Sequence, residues 1–269
     1  MKRFIIIITF IVALGHTNAQ ERLFSDMPCE NITTDIQGNV FFTHGSNLNM
    51  LPANGTKPLN YSAPTYGNIV QVDAGIASKI LVFYRESGTI TLLNNELSPI
   101  GNPLNLYDKS LMTISLASMG NPNKIVLYDE ANQDLLITDL SLNILNRTHI
   151  TFPDEFHPAD MQVLPEHRIA LLDTANGICL FDFFGTFEKK IPIPDVKAMQ
   201  LMKDKIIYLK GNKLYSYSLP SASSSMSIEE IDIQLPDNII RFFIFQNVLY
   251  YINANNYLYS VWLNPTGNH

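Results

Sequence analysis

The apolar positions fall into short runs separated by polar turns, and the same arrangement recurs. Lys79-Ile80-Leu81-Val82-Phe83-Tyr84 turns through Glu86-Ser87-Gly88 into Thr89-Ile90-Thr91-Leu92-Leu93. Lys124–Tyr128 turns through Glu130-Ala131-Asn132 into Leu135–Thr138, and Arg168–Leu172 turns through Thr174-Ala175-Asn176-Gly177 into Ile178–Phe181. Each copy continues into a third strand, at Ile100–Leu106, Ile144–Ile150 and Phe187–Ile193. Weaker copies start near Val40, Ile206 and Val248. A further strand precedes each copy, at Ile32–Ile36, Ile69–Asp73, Met112–Leu116, Met161–Leu164, Val196–Leu201 and Ile239–Phe245. Dense β-branched and aromatic residues with frequent turn signals disfavour helix.

The repeat spacing is roughly 40 residues, the length of one four-stranded propeller blade. The pattern predicts an all-β, six-bladed β-propeller of four-stranded antiparallel blades, with strands A to D joined by hairpins. The continuous apolar B runs suit strands covered on both faces, and the more alternating C runs suit a place nearer the rim. The sixth copy reaches its C strand at Trp262 with only Asn264–His269 after it. Arg22-Leu23-Phe24-Ser25 is a spare strand that would complete the last blade and leave no open edge. A seven-bladed ring would leave ~36 residues per blade and little loop.

The first residues are read apart from the fold. Met1-Lys2-Arg3 is basic, Phe4–Gly15 is apolar but for Thr9, and Thr17-Asn18-Ala19 is small. This is the pattern of a secretory signal peptide over residues 1–19, leaving a single propeller domain over residues 20–269. The apolar run is shorter than the ~20 residues a spanning helix needs, so no membrane span is expected after signal removal. The net charge of −7 argues against nucleic acid as a partner. Cys29 and Cys179 fall in blades far apart around the ring, beyond the ~7 Å reach of a bridge, and are expected as buried apolar residues. Sequons begin at Asn31, Asn54, Asn60 and Asn146.

One copy carries more detail. Ala170–Asp182, with Gly185 and Phe187, resembles an NHL repeat, whose pattern places Asp at a strand end, Asn in the turn and Gly in the next turn. The resemblance implies six blades. Over Lys79–Gly101 the chain looks similar to small exported propellers of Bacteroidetes envelopes, a group that includes the plug subunit capping the type 9 secretion translocon. That resemblance implies a periplasmic or outer-membrane-associated location and an envelope or outer-membrane protein partner. The absence of room for a C-terminal sorting domain implies retention in the periplasm. Asp173-Thr174-Ala175 also fits a short O-glycosylation motif of some bacterial envelopes.

Chemistry is sparse. The chain has no H-E-x-x-H, paired C-x-x-C, G-x-S-x-G, EF-hand loop or Gly-rich phosphate loop, so no catalytic residue, metal or cofactor is expected. His157, close to Asp154, Glu155 and Asp160, reads as part of a polar loop rather than a metal or acid–base cluster. B–C turns and D–A connections share one face of a propeller. They would gather Tyr66, Arg85, Glu86, Tyr107, Asp108, Asp129, Glu130, Phe152, Phe156, His157 and Asp173. Aromatic side chains among carboxylates suit a protein-binding face, since loops on a rigid scaffold usually carry function. The expected function is a non-enzymatic binding module. The alternative is a glycan-binding or glycan-cleaving propeller, which as a hydrolase would hold two carboxylates ~5–9.5 Å apart.

Overall fold

The computed structural model describes residues 21–22, 28–76, 78–151, 156–219, 227–231, 235 and 238–263. The expected signal peptide lies outside the described residues. The chain forms six four-stranded antiparallel sheets, the blades of a propeller. Blade one is Ile32–Thr34, Val40–His44, Asn47–Leu51 and Leu59–Ser62, and blade two is Gln71–Ile76, Lys79–Tyr84, Thr89–Leu93 and Leu104–Asn105. Blade three is Ile114–Asn121, Lys124–Asp129, Asp134–Asp139 and Ile144–His149, and blade four is Asp160–Leu164, Arg168–Asp173, Gly177–Asp182 and Phe187–Ile191. Blade five is Val196–Leu201, Lys205–Lys210, Lys213–Ser218 and Ile228–Ile231. Blade six has Ile239–Phe245, Val248–Asn253 and Leu258–Trp262, with Glu21–Arg22 beside its last strand.

The continuous apolar B runs follow from this geometry. Successive side chains point to opposite faces of a blade, and each face meets another blade. Leu81 and Phe83 pack with Ala117, Met119 and Leu127 of blade three. Ile80, Val82 and Tyr84, from the same strand, pack with Phe41, Leu48 and Met50 of blade one. Four more clusters fill the other junctions, so each blade is fixed by its two neighbours. The C strands differ from expectation: Thr89–Leu93 is buried throughout, including Thr89 and Thr91. The neighbouring blades still cover both faces at this radius, so alternation in that strand is not a sign of solvent.

Several strand boundaries also differ, two of them with a consequence for the loops. Strand A of blade three starts at Ile114, which leaves Met112 in the D–A connection. Strand D of blade two shrinks to Leu104–Asn105, with a single bridge between Leu93 and Pro99 before it. Pro99 and Pro103 lack the amide a ladder needs.

Glu21 and Arg22 run antiparallel to the last strand, opposite Ser260 and Tyr259. Residues 23–27, which hold most of the expected closing strand, lie outside the described residues. Blades six and one also meet where the Cys29 amide donates to the Asn256 carbonyl at 2.6 Å. Cys29 and Cys179 are both buried, and neither forms a disulfide.

The inner edges of the A strands are joined by side chains. Gln162 of blade four donates to the Met199 carbonyl at 2.6 Å and accepts from the Leu201 amide at 2.8 Å, both in blade five. Gln71 of blade two accepts from the Ala117 amide of blade three and donates to the Met161 carbonyl of blade four. Asp73 accepts from the Ser118 hydroxyl and from the Met119 and Gly75 amides. An unpaired strand edge is thereby satisfied by the next blade.

Candidate functional site

The hairpins put B–C turns and D–A connections at the same end of the ring. On that face the sequence-predicted residues separate into two groups. The first is exposed and connected. Arg85, in the B–C turn of blade two, donates from Nη2 to Glu130 Oε2 of blade three at 2.5 Å. His157, in the connection to blade four, brings Nδ1 within 3.8 Å of Glu130 Oε1. Glu130 thus links residues from three segments that are remote in sequence.

Tyr107 opens a single 3-10 turn, Tyr107–Lys109, and its hydroxyl donates to the Glu86 carbonyl at 3.1 Å. Its ring lies over Gly88, where a Cβ would stand 2.6 Å from the ring. Glycine there both adopts φ +59° and lets the aromatic ring down onto the turn. Tyr107 stays 37% exposed, and Asp108 beside it is exposed. Tyr66 sits in a second 3-10 turn, Pro64–Tyr66, half-buried with its ring 5.5 Å from that of Tyr84. Its carbonyl accepts from the Ser87 hydroxyl at 2.9 Å. A hollow lies among Arg85, Glu86, Tyr107, Met112 and Glu130.

The second group is internal. Phe156 is only 1% exposed, edge-on to Tyr128 at 6.4 Å, and its carbonyl accepts from the Tyr128 hydroxyl. It therefore offers no surface to a partner. Asp129 and Asp173 are buried at the ends of B strands. Asp173 accepts from the Ala175 and Asn176 amides, the Asn176 side chain and the His157 amide. Asp129 accepts from the Asn132 amide and side chain and from the Thr113 hydroxyl. The Asp-x-x-Asn spacing is a turn device that also ties down the D–A connection. Burial pushes the Asp173 carboxyl up, but the bonds from Asn176, His157 and Ala175 outweigh it and hold it below its ordinary range. Phe152 lies outside the described residues, as do Asp154 and Glu155.

Met112, 61% exposed beside the hollow, was assigned by pattern to a strand because an apolar residue before an apolar run extends it. Glutamines 71, 162 and 200 were also passed over. Their signal was an amide recurring inside three A strands, each of which also carries one charged residue: Asp73, Asp160 and Lys197.

A cavity of about 430 Å³ fills the centre of the ring, lined by A strands. Asp73, Asp160 and Arg241 are among its charged residues. Burial pushes the Asp160 carboxyl above its ordinary range, although Arg241 and Gln162 pull the other way. Burial does the same to Asp73, against the bonds from Ser118, Gly75 and Met119. Among the described residues no group of three or more His, Cys, Asp and Glu side chains is placed to hold a metal ion. Among them, too, no helix is long and apolar enough to cross a membrane.

No protein-family model matches the chain. No curated protein matches it in sequence. Solved structures do match it in fold. The Neurospora crassa Pan2 WD40 domain superposes with a TM-score of 0.64 at 10% identity, over 90% of this chain and 90% of that one. A streptogramin B lyase gives 0.62 at 12% identity over 91% and 98%. Virginiamycin B lyase from Staphylococcus aureus, as a catalytically inactive form with quinupristin, gives 0.60 at 16% identity over 88% and 80%. At these identities the likeness is one of fold, and that fold is common to lyases and a WD40 domain.

Proposed function

We propose that the chain is an exported, non-enzymatic protein-binding propeller that acts in the periplasm or at the outer membrane of a cell envelope. It docks a protein partner through the face of B–C turns and D–A connections. The observation that carries this reading is the link from Arg85 through Glu130 to His157, which gathers three distant segments into one exposed surface. Tyr107 and Met112 border it and supply apolar area beside paired charges. Such a mixture suits the core and rim of a transient interface. The rigid blades hold these loops in place, so little ordering entropy is lost on docking.

BBS1N, similar in fold with a TM-score of 0.57 at 14% identity, is found in complex with ARL6DN. In its finer form the reading is a subunit that caps a protein-secretion translocon, the role implied by the resemblance of Lys79–Gly101 to Bacteroidetes envelope propellers. A hydrolase reading would need two free carboxylates in one pocket. Asp73 is taken up by Ser118, Met119 and Gly75, which supports binding over that chemistry.

The experiment is affinity purification of the tagged chain from membranes, in parallel with Arg85→Glu, Tyr107→Ala and Met112→Asp. The expected result is one stoichiometric envelope protein lost from all three variants. A partner retained by every variant overturns the choice of face.

A further inference from the structure

The polar side chains in the central cavity divide by what they already hold. Gln162 and Gln200 spend both ends of their amides on the backbone of the next blade. Gln71 spends both of its ends on blades three and four, and Asp73 accepts three bonds. Asp35 accepts from the Gln37 and Asn39 amides and the Asn39 side chain, which leaves two charged groups. Among the described residues Asp160 accepts from the Gln162 side chain, 3.2 Å away, and from the Met161 amide. Arg241 has no side-chain hydrogen bond or ion pair among the described residues. Both line the same cavity, and each lies in the field of the other without forming an ion pair.

Their positions along the strands are equivalent. Asp160 opposes Leu172 at the B–C end of blade four, and Arg241 opposes Ile252 at the B–C end of blade six. The charged pair therefore marks one mouth of the channel. Further along the same strands, toward the A–B turns, come Val163, Phe243 and Phe245, which are partly exposed to the cavity. The channel has a dipolar mouth, and past it these apolar side chains share the wall with hydrogen-bonded polar groups such as Asp73, Ser118 and Gln200. Its volume of about 430 Å³ is in the range of small-molecule sites, ~300–1,000 Å³.

We propose that this channel binds a small zwitterion with a large apolar group, a free hydrophobic amino acid or a short peptide with free ends. The ligand ammonium lies against Asp160, its carboxylate against Arg241, and its apolar side chain in the interior near Phe243. Each charge meets an opposite charge in a cleft walled by protein, where such pairs are stronger and more specific than on an open surface. A ligand with only one charge would leave the other protein group desolvated and unpaired. The charged mouth opens on the same face of the ring as the docking surface but is built from different residues.

The test is calorimetric titration of the folded protein with free phenylalanine and with leucyl-phenylalanine, against the N-acetylated, C-amidated and doubly blocked dipeptides. At least one free zwitterion is expected to bind, with each single block weakening the dipeptide about tenfold or more. Asp160→Asn should erase the penalty for N-acetylation, and Arg241→Gln the penalty for C-amidation. The blocked ligands test the idea on the unaltered protein should a variant fail to fold. The proposal is overturned if neither free probe binds at millimolar concentration, or if the doubly blocked dipeptide binds as well as the free one.

Discussion

Gln200 and Ile244 exchange two hydrogen bonds: the Gln200 side chain donates to the Ile244 carbonyl at 2.8 Å and accepts from the Ile244 amide at 2.7 Å. A side-chain amide here repeats the bonding of a ladder strand, and it does so between two sheets. Replacing it by alanine leaves a buried donor and acceptor unmet at the junction of blades five and six. Gln200→Ala should lose about 2 kcal/mol in urea unfolding. Gln200→Glu should restore the acceptor alone and bury a charge, so it should not recover that loss.

Tyr107 and Gly88 form a second testable pair. A methyl group at Gly88 strains a left-handed residue and lifts the Tyr107 ring. Gly88→Ala should cost about 1 kcal/mol of stability and weaken the partner association as much as Tyr107→Ala does. The double variant should bind no worse than either single one, a coupling that a two-variant cycle measures directly.

Asp160 and Asp173 should respond to pH in opposite senses. The Asp173 carboxyl is held below its ordinary range. Its contribution is present above the unfolded-state pKa and is lost as pH falls through the lowered folded value. The Asp160 carboxyl is raised. The fold therefore disfavours its ionised form, and stability falls as pH rises from the ordinary aspartate range through the raised value. Urea midpoints between pH 3 and 8 should show Asp160→Asn gaining stability at neutral pH and losing the acid-side rise. Asp173→Asn should lose stability at neutral pH instead.

The thiols should be silent in the folded state. Burial raises Cys29 to about 11 and Cys179 to about 12, so little thiolate forms at neutral pH. A thiol reagent at pH 8 should label neither until denaturant is added, and then label both. Fast labelling of the native protein would show that one of these junctions opens readily.

The segment at Glu21–Arg22 should matter out of proportion to its length. If it fastens the last blade to the ring, removing residues 20–25 exposes the edge of Leu258–Trp262. A lower melting temperature and a tendency to self-associate are expected. An unchanged melting temperature would show that the contact of Cys29 with Asn256 and the apolar cluster between blades six and one suffice.

The blades were legible because their signal is redundant: six copies of strand, turn and strand outvote any weak one. The site was less so. Asp129 and Asp173 end their strands beside a turn and Phe156 lies in a connection, so all three look available, yet each is also drawn inward by a bond from outside its own turn. Asp173 is held by the amide of His157, sixteen positions away, and Phe156 by the hydroxyl of Tyr128. Arg85 and Glu130 could be assigned to one face from the repeat, but their contact needs the angle between two blades. Thr89 and Thr91 show the same limit: hydroxyls in an alternating strand suggest water, and the adjoining blade supplies a buried surface instead.

The glutamine contacts also reverse an expectation about solvent exchange. The innermost strand of a propeller is an open edge facing channel water, and its outward amides would normally trade protons early. At Ala117, Leu201 and Ile244 those amides are capped by a side chain from another blade. Deuterium should enter these three positions late, after the outermost strands have already equilibrated, so the centre of the wheel keeps its protons longest.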